Sequence, residues 1–231
     1  MTPDPRALFQ QQGYRYIPQA LGKDVVQPVK AHVLNELKKQ KIWSTGRSLS
    51  RRLEGVPVFQ QVGKLGQWLR YPALQQQLAV PDLLASMREV AGVPLISAQD
   101  AQLLISLPHQ SAWTLQGLNW HRDIAQSKLS AIPGIQAFVL LDDLSPHGGA
   151  TLALAGSQRL QMPAGGMQSI ARLIKDESDG TVVIDGVRLA ILEMTGKAGD
   201  VYLMDMRVIH TPSINAGRNV RMMATMRYLT A

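Results

Sequence analysis

The chain has 231 residues, 45% apolar and 18% charged, which suits one folded domain and argues against wholesale disorder. There is no cysteine, so disulfides, thiolate nucleophiles, zinc fingers and Cys-ligated clusters are excluded, and any metal site must use His, Asp or Glu. Most of the net charge of +7 comes from Lys38, Lys39, Lys41, Arg47, Arg51, Arg52, Lys64 and Arg70 set against Glu36 and Glu54; the cluster suits an entrance for anionic ligands or a plain solvated face, and without a nucleic-acid motif the second is simpler.

Helices come first. Pro5 to Gln12 reads as a short helix ended by Gly13, and Tyr14 to Ile17 as a short β-prone run. From Lys23 to Gln40, apolar residues at Val25, Val26, Val29, Val33, Leu34 and Leu37 make one helical stripe, with Pro28 in its first turns. Residues 42–57 are polar, basic and Gly-containing, the composition of a lid or of an ordinary connection. Pro81 to Ala91 is a second helix, with proline at its start and Gly92 after its end.

From about residue 100 the pattern turns to short strands. The expected runs are Ala101–Leu107, Leu118–Asp123, Gln136–Leu141, Thr151–Ala155, Thr181–Ile184, Val187–Leu192, Asp200–Met204 and Met222–Leu229. Asp185-Gly186 is a hairpin-turn signal, and 163–178 reads as an inserted helix. No linker or repeat divides the chain, so residues 1–231 read as one domain: 1–100 a mainly helical layer, 101–231 a jelly-roll core, in the α+β or mainly β class. The N-terminus has no basic start followed by an apolar run and no stretch is long enough for a membrane span, so the expectation is a cytoplasmic protein, monomeric or homodimeric.

The chemistry centres on Trp120-His121-Arg122-Asp123. On a strand, residues i and i+2 share a face, so His121 and Asp123 project together while Arg122 points away. His210, 89 residues on at the end of a strand-like run, supplies a third ligand. Two histidines and a carboxylate leave coordination positions open, as Fe(II) oxygenases require; a structural zinc site would close all four. Arg221, with no acid near it in sequence, is suited to grip a carboxylate.

These residues resemble the phytanoyl-CoA dioxygenase family of Fe(II)/2-oxoglutarate-dependent oxygenases. The likeness runs from Phe9-Gln-Gln-Gln-Gly13-Tyr14 through His121-x-Asp123, the stretch His147 to Arg159 and Gly199-Asp200, to His210 with an arginine eleven residues later. The resemblance implies a double-stranded β-helix, with His121, Asp123 and His210 binding Fe(II). It also implies Arg221 on the distal carboxylate of 2-oxoglutarate, Thr151 and Gln136 as further cosubstrate contacts, and O₂ consumed with release of succinate and CO₂. Two departures stand out: Ala155-Gly-Ser-Gln158 lacks the family's histidine, and Pro212 stands where the family can place a small hydroxyl residue, a role open to Thr211 or Ser213.

Trp120, Arg207 and Trp43 are candidates for substrate contact. The expected reaction is hydroxylation of a small molecule, in secondary metabolism, with an acidic, phosphorylated or carrier-bound substrate weakly favoured by the basic cluster. Desaturation, epimerisation or cyclisation start from the same chemistry, and Asp123 argues against halogenation, because related halogenases replace that carboxylate with a small residue. A non-catalytic metal- or ligand-binding jelly roll and a nucleic-acid-binding protein are the readings from other classes. His32, His109 and His147 are expected to be structural or loop residues.

Overall fold

The apolar stripe of the second helix shows how the N-terminal third is used: Val26, Val29, Val33 and Leu37 are all fully buried, and each contributes about 1.5–3 kcal/mol by leaving water. The computed structural model describes residues 4–44, 47–48, 51–124, 131–161, 166–176 and 180–231. In chain order its elements are α1 Pro5–Gln12, β1 Tyr14–Ile17, α2 Lys23–Lys39, β2 Trp43–Ser44, β3 Arg47–Ser48, α3 Val58–Trp68, α4 Leu74–Leu78, α5 Pro81–Ala91, β4 Leu95–Ser106, β5 Gly134–Leu140 and β6 Thr151–Ala155. They continue with α6 Gly166–Asp176, β7 Thr181–Ile184, β8 Val187–Glu193, β9 Val201–Asp205, β10 His210–Pro212 and β11 Arg221–Thr230.

Two antiparallel sheets form a jelly-roll sandwich. The larger has the order β1-β9-β5-β11-β4 and the smaller β10-β6-β8-β7. One face of the larger sheet, with Met222, Ala224, Met226 and Tyr228 of β11, packs on α2, α3, α4 and α5. Phe138, Leu140, Ala153, Met204 and Met223 fill the space between the sheets. Behind the smaller sheet, Leu152 and Leu154 pack on Ile170 and Ile174 of α6. Strand alternation therefore decides which β11 residues see the interior: Arg221, Met223, Thr225 and Arg227 share the face opposite the helices.

Several expectations meet the structure closely. The helices at 5–12 and 81–91 have the expected bounds, and β7 and β8 form the hairpin around Asp185-Gly186. Proline 28 leaves the Asp24 carbonyl without its helical donor, and the Gln77 amide approaches the carbonyls of Asp24 and Val25 at 3.5 and 3.0 Å. Of the helix expected over 163–178, α6 occupies 166–176, and the flanking positions lie outside the described residues.

Other expectations change. Residues 118–123 do not form a strand; only His121 pairs, in a single antiparallel bridge with His210. Strand β4 starts at Leu95, because β11 is long enough to pair back to it, with register shifts flanking Arg227. Helices α3 and α4 were not expected, since Gly63 and Gly66 lower the helix propensity of the first. Tertiary packing overrides that preference: Gly66 lies against edge strand β4 so closely that a Cβ there would stand 2.3 Å from the Leu103 carbonyl oxygen. In 42–57, residues 45, 46, 49 and 50 lie outside the described residues, while Ile42 and Leu53 are buried in the main core. No helix among the described residues is long and apolar enough to cross a membrane.

Candidate metal and cosubstrate site

The bridge at residue 121 puts the two histidines face to face. The backbone N–H of His121 donates to the His210 carbonyl at 3.0 Å and that of His210 to the His121 carbonyl at 2.9 Å. The ring centroids are 4.3 Å apart. Nδ1 of His121 lies 2.9 Å from the Asn119 carbonyl and Nδ1 of His210 3.1 Å from the Val208 carbonyl. A carbonyl can only accept, so Nδ1 carries the proton in each ring and Nε2 keeps its lone pair, the arrangement a metal ligand needs. Burial, and then the neighbouring His121 ring, push the His210 imidazole down to about 4, so it is neutral near pH 7.

Asp123 completes the group. His121 Nε2 is 3.9 Å from Asp123 Oδ1, and His210 Nε2 is 4.0 Å from Asp123 Oδ2. One ligand atom from each of the three residues falls within 4.8 Å of the others, a grouping that could hold a metal ion. Arg122, between the two ligand candidates, points away and donates to the carbonyls of Ser157 and Leu160 at 2.7 and 3.1 Å.

His121 and His210 open on a void of about 90 Å³, lined also by Val62 of α3, Leu104 of β4, Gln136 and Phe138 of β5, Thr151 of β6, and Pro212, Arg221 and Arg227. His210 and Pro212 of β10 pair with Ala153 and Thr151, which sets all four on the inner face of the smaller sheet. Arg221 is buried at the start of β11. Its Nε donates to the Gly149 carbonyl at 2.7 Å and its Nη1 to the Leu104 carbonyl at 2.8 Å. Its Nη2 is buried with no partner, and burial alone pushes the guanidinium down to about 10. A buried guanidinium with one donor unsatisfied has the chemistry to bind an anion.

Glycine is required where Arg221 is gripped. Gly149 has φ +83°, and a Cβ there would stand 2.7 Å from that of Asn215. The Asn215 amide in turn donates to the carbonyls of Ser106 and Asn219, at 3.3 and 2.9 Å, and so folds the loop joining His210 to Arg221.

The residues singled out in sequence do not all meet here. Gln136 and Thr151 line the void. Trp120 is buried behind β6 with Leu152, Leu154 and Leu160. Arg207 is 4% exposed and forms a buried ion pair with Asp205, with Nη2 to Oδ2 at 2.7 Å and Nε to Oδ1 at 3.0 Å. Trp43 packs on the main core beside α2. His32 contacts the Arg70 carbonyl and the Tyr71 ring, and His147 stacks on Trp113. Ser213 donates to the Ala150 carbonyl and Thr211 to that of Pro212, so neither hydroxyl takes the place that Pro212 leaves. Asp200, part of the Gly199-Asp200 motif, accepts from the Tyr16 hydroxyl and the Gln19 N–H and anchors the N-terminal segment beside β9.

Sequence reasoning missed Arg227. Its Nε donates to Asp123 Oδ2 at 3.0 Å. The signal was present: Arg227 follows Arg221 by an even number of residues on one strand, which puts both on the same face.

The phytanoyl-CoA dioxygenase (PhyH) family model matches residues 9–223. The chain belongs to this family. It is therefore an oxidoreductase of the 2-oxoglutarate-dependent oxygenases, with iron, 2-oxoglutarate and O₂ as cofactor and cosubstrates. No curated protein matches this PhyH-family chain in sequence. Among solved structures it is similar to AviO1 from Streptomyces viridochromogenes Tue57, at 17% identity and a TM-score of 0.64, over 99% of this chain and 96% of that one. It is also similar to the non-heme alpha-ketoglutarate-dependent carbocyclase SnoK from nogalamycin biosynthesis, at 20% identity and 0.63, over 100% and 85%. EctD from S. alaskensis, solved with 2-oxoglutarate and 5-hydroxyectoine, matches at 19% and 0.63, over 100% and 76%. At these identities the likeness establishes the shared double-stranded β-helix fold.

Proposed function

We propose that His121, Asp123 and His210 hold Fe(II), that Arg221 binds the distal carboxylate of 2-oxoglutarate, and that the enzyme hydroxylates an unactivated C–H bond of a small molecule. The observation that carries this reading is the unpartnered Nη2 of buried Arg221, which lines the same small void as His121 and His210, the two histidines whose ligand atoms group with that of Asp123. The donor set fits iron: two neutral imidazoles and one carboxylate, no thiolate, and room for exogenous ligands. Iron with 2-oxoglutarate and O₂ supplies the oxidising power, with succinate and CO₂ released.

The chain's own residues bind, orient and exclude water. Arg221 and Thr151 fix the cosubstrate, while Phe138, Leu104 and Val62 keep the void apolar beside them. The whole of residues 1–231 acts as one domain, since β1 pairs with β9 and so ties the N-terminal segment into the larger sheet. Trp120, Arg207 and Trp43 act through packing rather than by touching substrate.

A void of about 90 Å³ leaves no room for a second, substrate-sized molecule beside the cosubstrate. A groove of about 740 Å³ shares the Leu104 wall and runs between α3, the start of α4 and β4, with Gln67, Gln75, Gln99, Gln102, Arg70 and Asp100 along it. We place the bulk of the substrate there, in a lining suited to a polar small molecule. Cyclisation, the reaction named for SnoK, and epimerisation or desaturation are the alternative outcomes on this scaffold.

The test is anaerobic addition of Fe(II) and 2-oxoglutarate, watched for the visible metal-to-ligand charge-transfer band. Its absence in metal-loaded protein overturns the reading. A succinate-release screen over metabolite and carrier-tethered libraries, with His121→Ala as control, then finds the substrate.

A further inference from the structure

The carboxylate of Asp123 is not shared evenly. Its Oδ2 accepts from Arg227 Nε at 3.0 Å. With the Gln136 amide turned so that both its atoms find partners, Gln136 also donates to Oδ2, at 2.6 Å. In that orientation the Gln136 oxygen accepts from Nε and Nη2 of Arg227, at 3.2 Å each, and from the Thr225 hydroxyl at 2.9 Å. Oδ1, the oxygen 3.9 Å from His121 Nε2, has no such partner among the described residues.

The fold builds this arrangement. Arg227 and Gln136 are register partners on β11 and β5, and Thr225 shares their face. The pairing of β11 with β4 shifts register on both sides of Arg227, and such irregularities re-aim a side chain. Arg227 is only partly exposed, at 22% of its side chain, and Asp123 at 14%.

We propose that Arg227 is a positioning residue for Asp123: together with Gln136 it occupies Oδ2 and presents Oδ1 as a single-oxygen metal ligand. A carboxylate free to turn could offer both oxygens and fill a coordination position that the cosubstrates need. The two donors fix its rotation. This inference rests on the metal-site reading above. It adds a fourth residue to the site, six positions beyond the cosubstrate arginine.

Co(II) and Mn(II) titrations of the metal-free full chain, without 2-oxoglutarate, test it. Wild-type protein, Arg227→Gln, Arg227→Lys and Gln136→Leu are compared by metal affinity, by the Co(II) visible spectrum and by the melting temperature of the metal-free form. Loss of an outer partner of a metal ligand weakens affinity about 10–100-fold, and that is the loss expected for Arg227→Gln. A changed Co(II) band intensity, reporting a changed coordination number, should accompany it without a change in melting temperature. Arg227→Lys should restore part of the affinity but not the wild-type spectrum, and Gln136→Leu should change the spectrum in the same direction. An Arg227→Gln protein that melts, binds Co(II) and absorbs as wild type does overturns the proposal. Should that variant not fold, the lysine and Gln136 variants decide by the same criteria. Wild-type protein that takes up neither metal overturns the metal-site reading itself.

Discussion

His121 and His210 are joined by two reciprocal backbone hydrogen bonds, of 3.0 and 2.9 Å, so the two imidazoles are set side by side before any metal arrives. Because the pairing uses main-chain groups, His121→Ala should leave the fold intact. We expect metal affinity to fall more than about 100-fold, beyond the cost of losing an outer partner, with a melting temperature close to that of metal-free wild type. Anaerobic metal titration beside thermal melts checks both halves.

Arg221→Lys keeps the charge and loses the fork. The ammonium cannot reach the Gly149 and Leu104 carbonyls and a ligand carboxylate in one plane. Affinity for 2-oxoglutarate should drop about 100-fold, equivalent to about 3 kcal/mol, with Co(II) affinity unchanged. Titration of the charge-transfer band against 2-oxoglutarate measures the first and Co(II) titration the second.

Arg207 belongs to stability. Its pair with Asp205 is nearly sealed from water, and Asp205→Asn removes the charge from one side of that pair. Breaking a buried pair from one side costs about 3–5 kcal/mol, so the denaturant midpoint should fall sharply. Cosubstrate affinity of the protein that remains folded should be unaffected.

The metal-free protein should lose stability in mild acid. His210 is held at about 4 in the folded chain, against an ordinary value of 6.5. Below pH 6.5 the unfolded chain gains a proton that the folded chain refuses until near pH 4. This contribution is therefore present above pH 6.5 and lost as pH falls towards 4. Between pH 7 and 5 the loss is about 2 kcal/mol. Urea unfolding at the two pH values, repeated on His210→Asn, should show the wild type losing more.

Gly63 opens on the groove beside Leu104, and a Cβ there meets nothing within 4 Å. Gly63→Leu should therefore fold as well as wild type, with a gain of up to about 1 kcal/mol from helix propensity. Turnover of 2-oxoglutarate without substrate should be unchanged. Once a substrate is found, its KM should rise at least about tenfold; an unchanged KM would place the substrate elsewhere.

The grouping of His121, Asp123 and His210, with Arg221 nearby, was legible because the chemistry sought fixes residue type and the strand period fixes facing. The helix caps at 5–12 and 81–91 were legible for similarly local reasons. Residues 118–123 misled because alternation that suits a strand also suits a single bridge, and only the partner chain segment tells them apart. Trp120 and Arg207 sit beside ligand candidates in sequence but behind the sheet or in a buried pair in space. Arg227, and the contact proposed between Gln136 and Asp123, depended on register between β11 and β5, which no local pattern encodes.

Gly66 has a consequence beyond holding α3 in place. An edge strand offers its unpaired carbonyls and N–H groups to any passing strand, and β4 is the long edge of the larger sheet. By lying flush on Leu103, α3 shields that part of the edge from intermolecular strand addition. A methyl group at position 66 would push the helix away and expose it. The space of one missing carbon atom thus also guards the fold against aggregation.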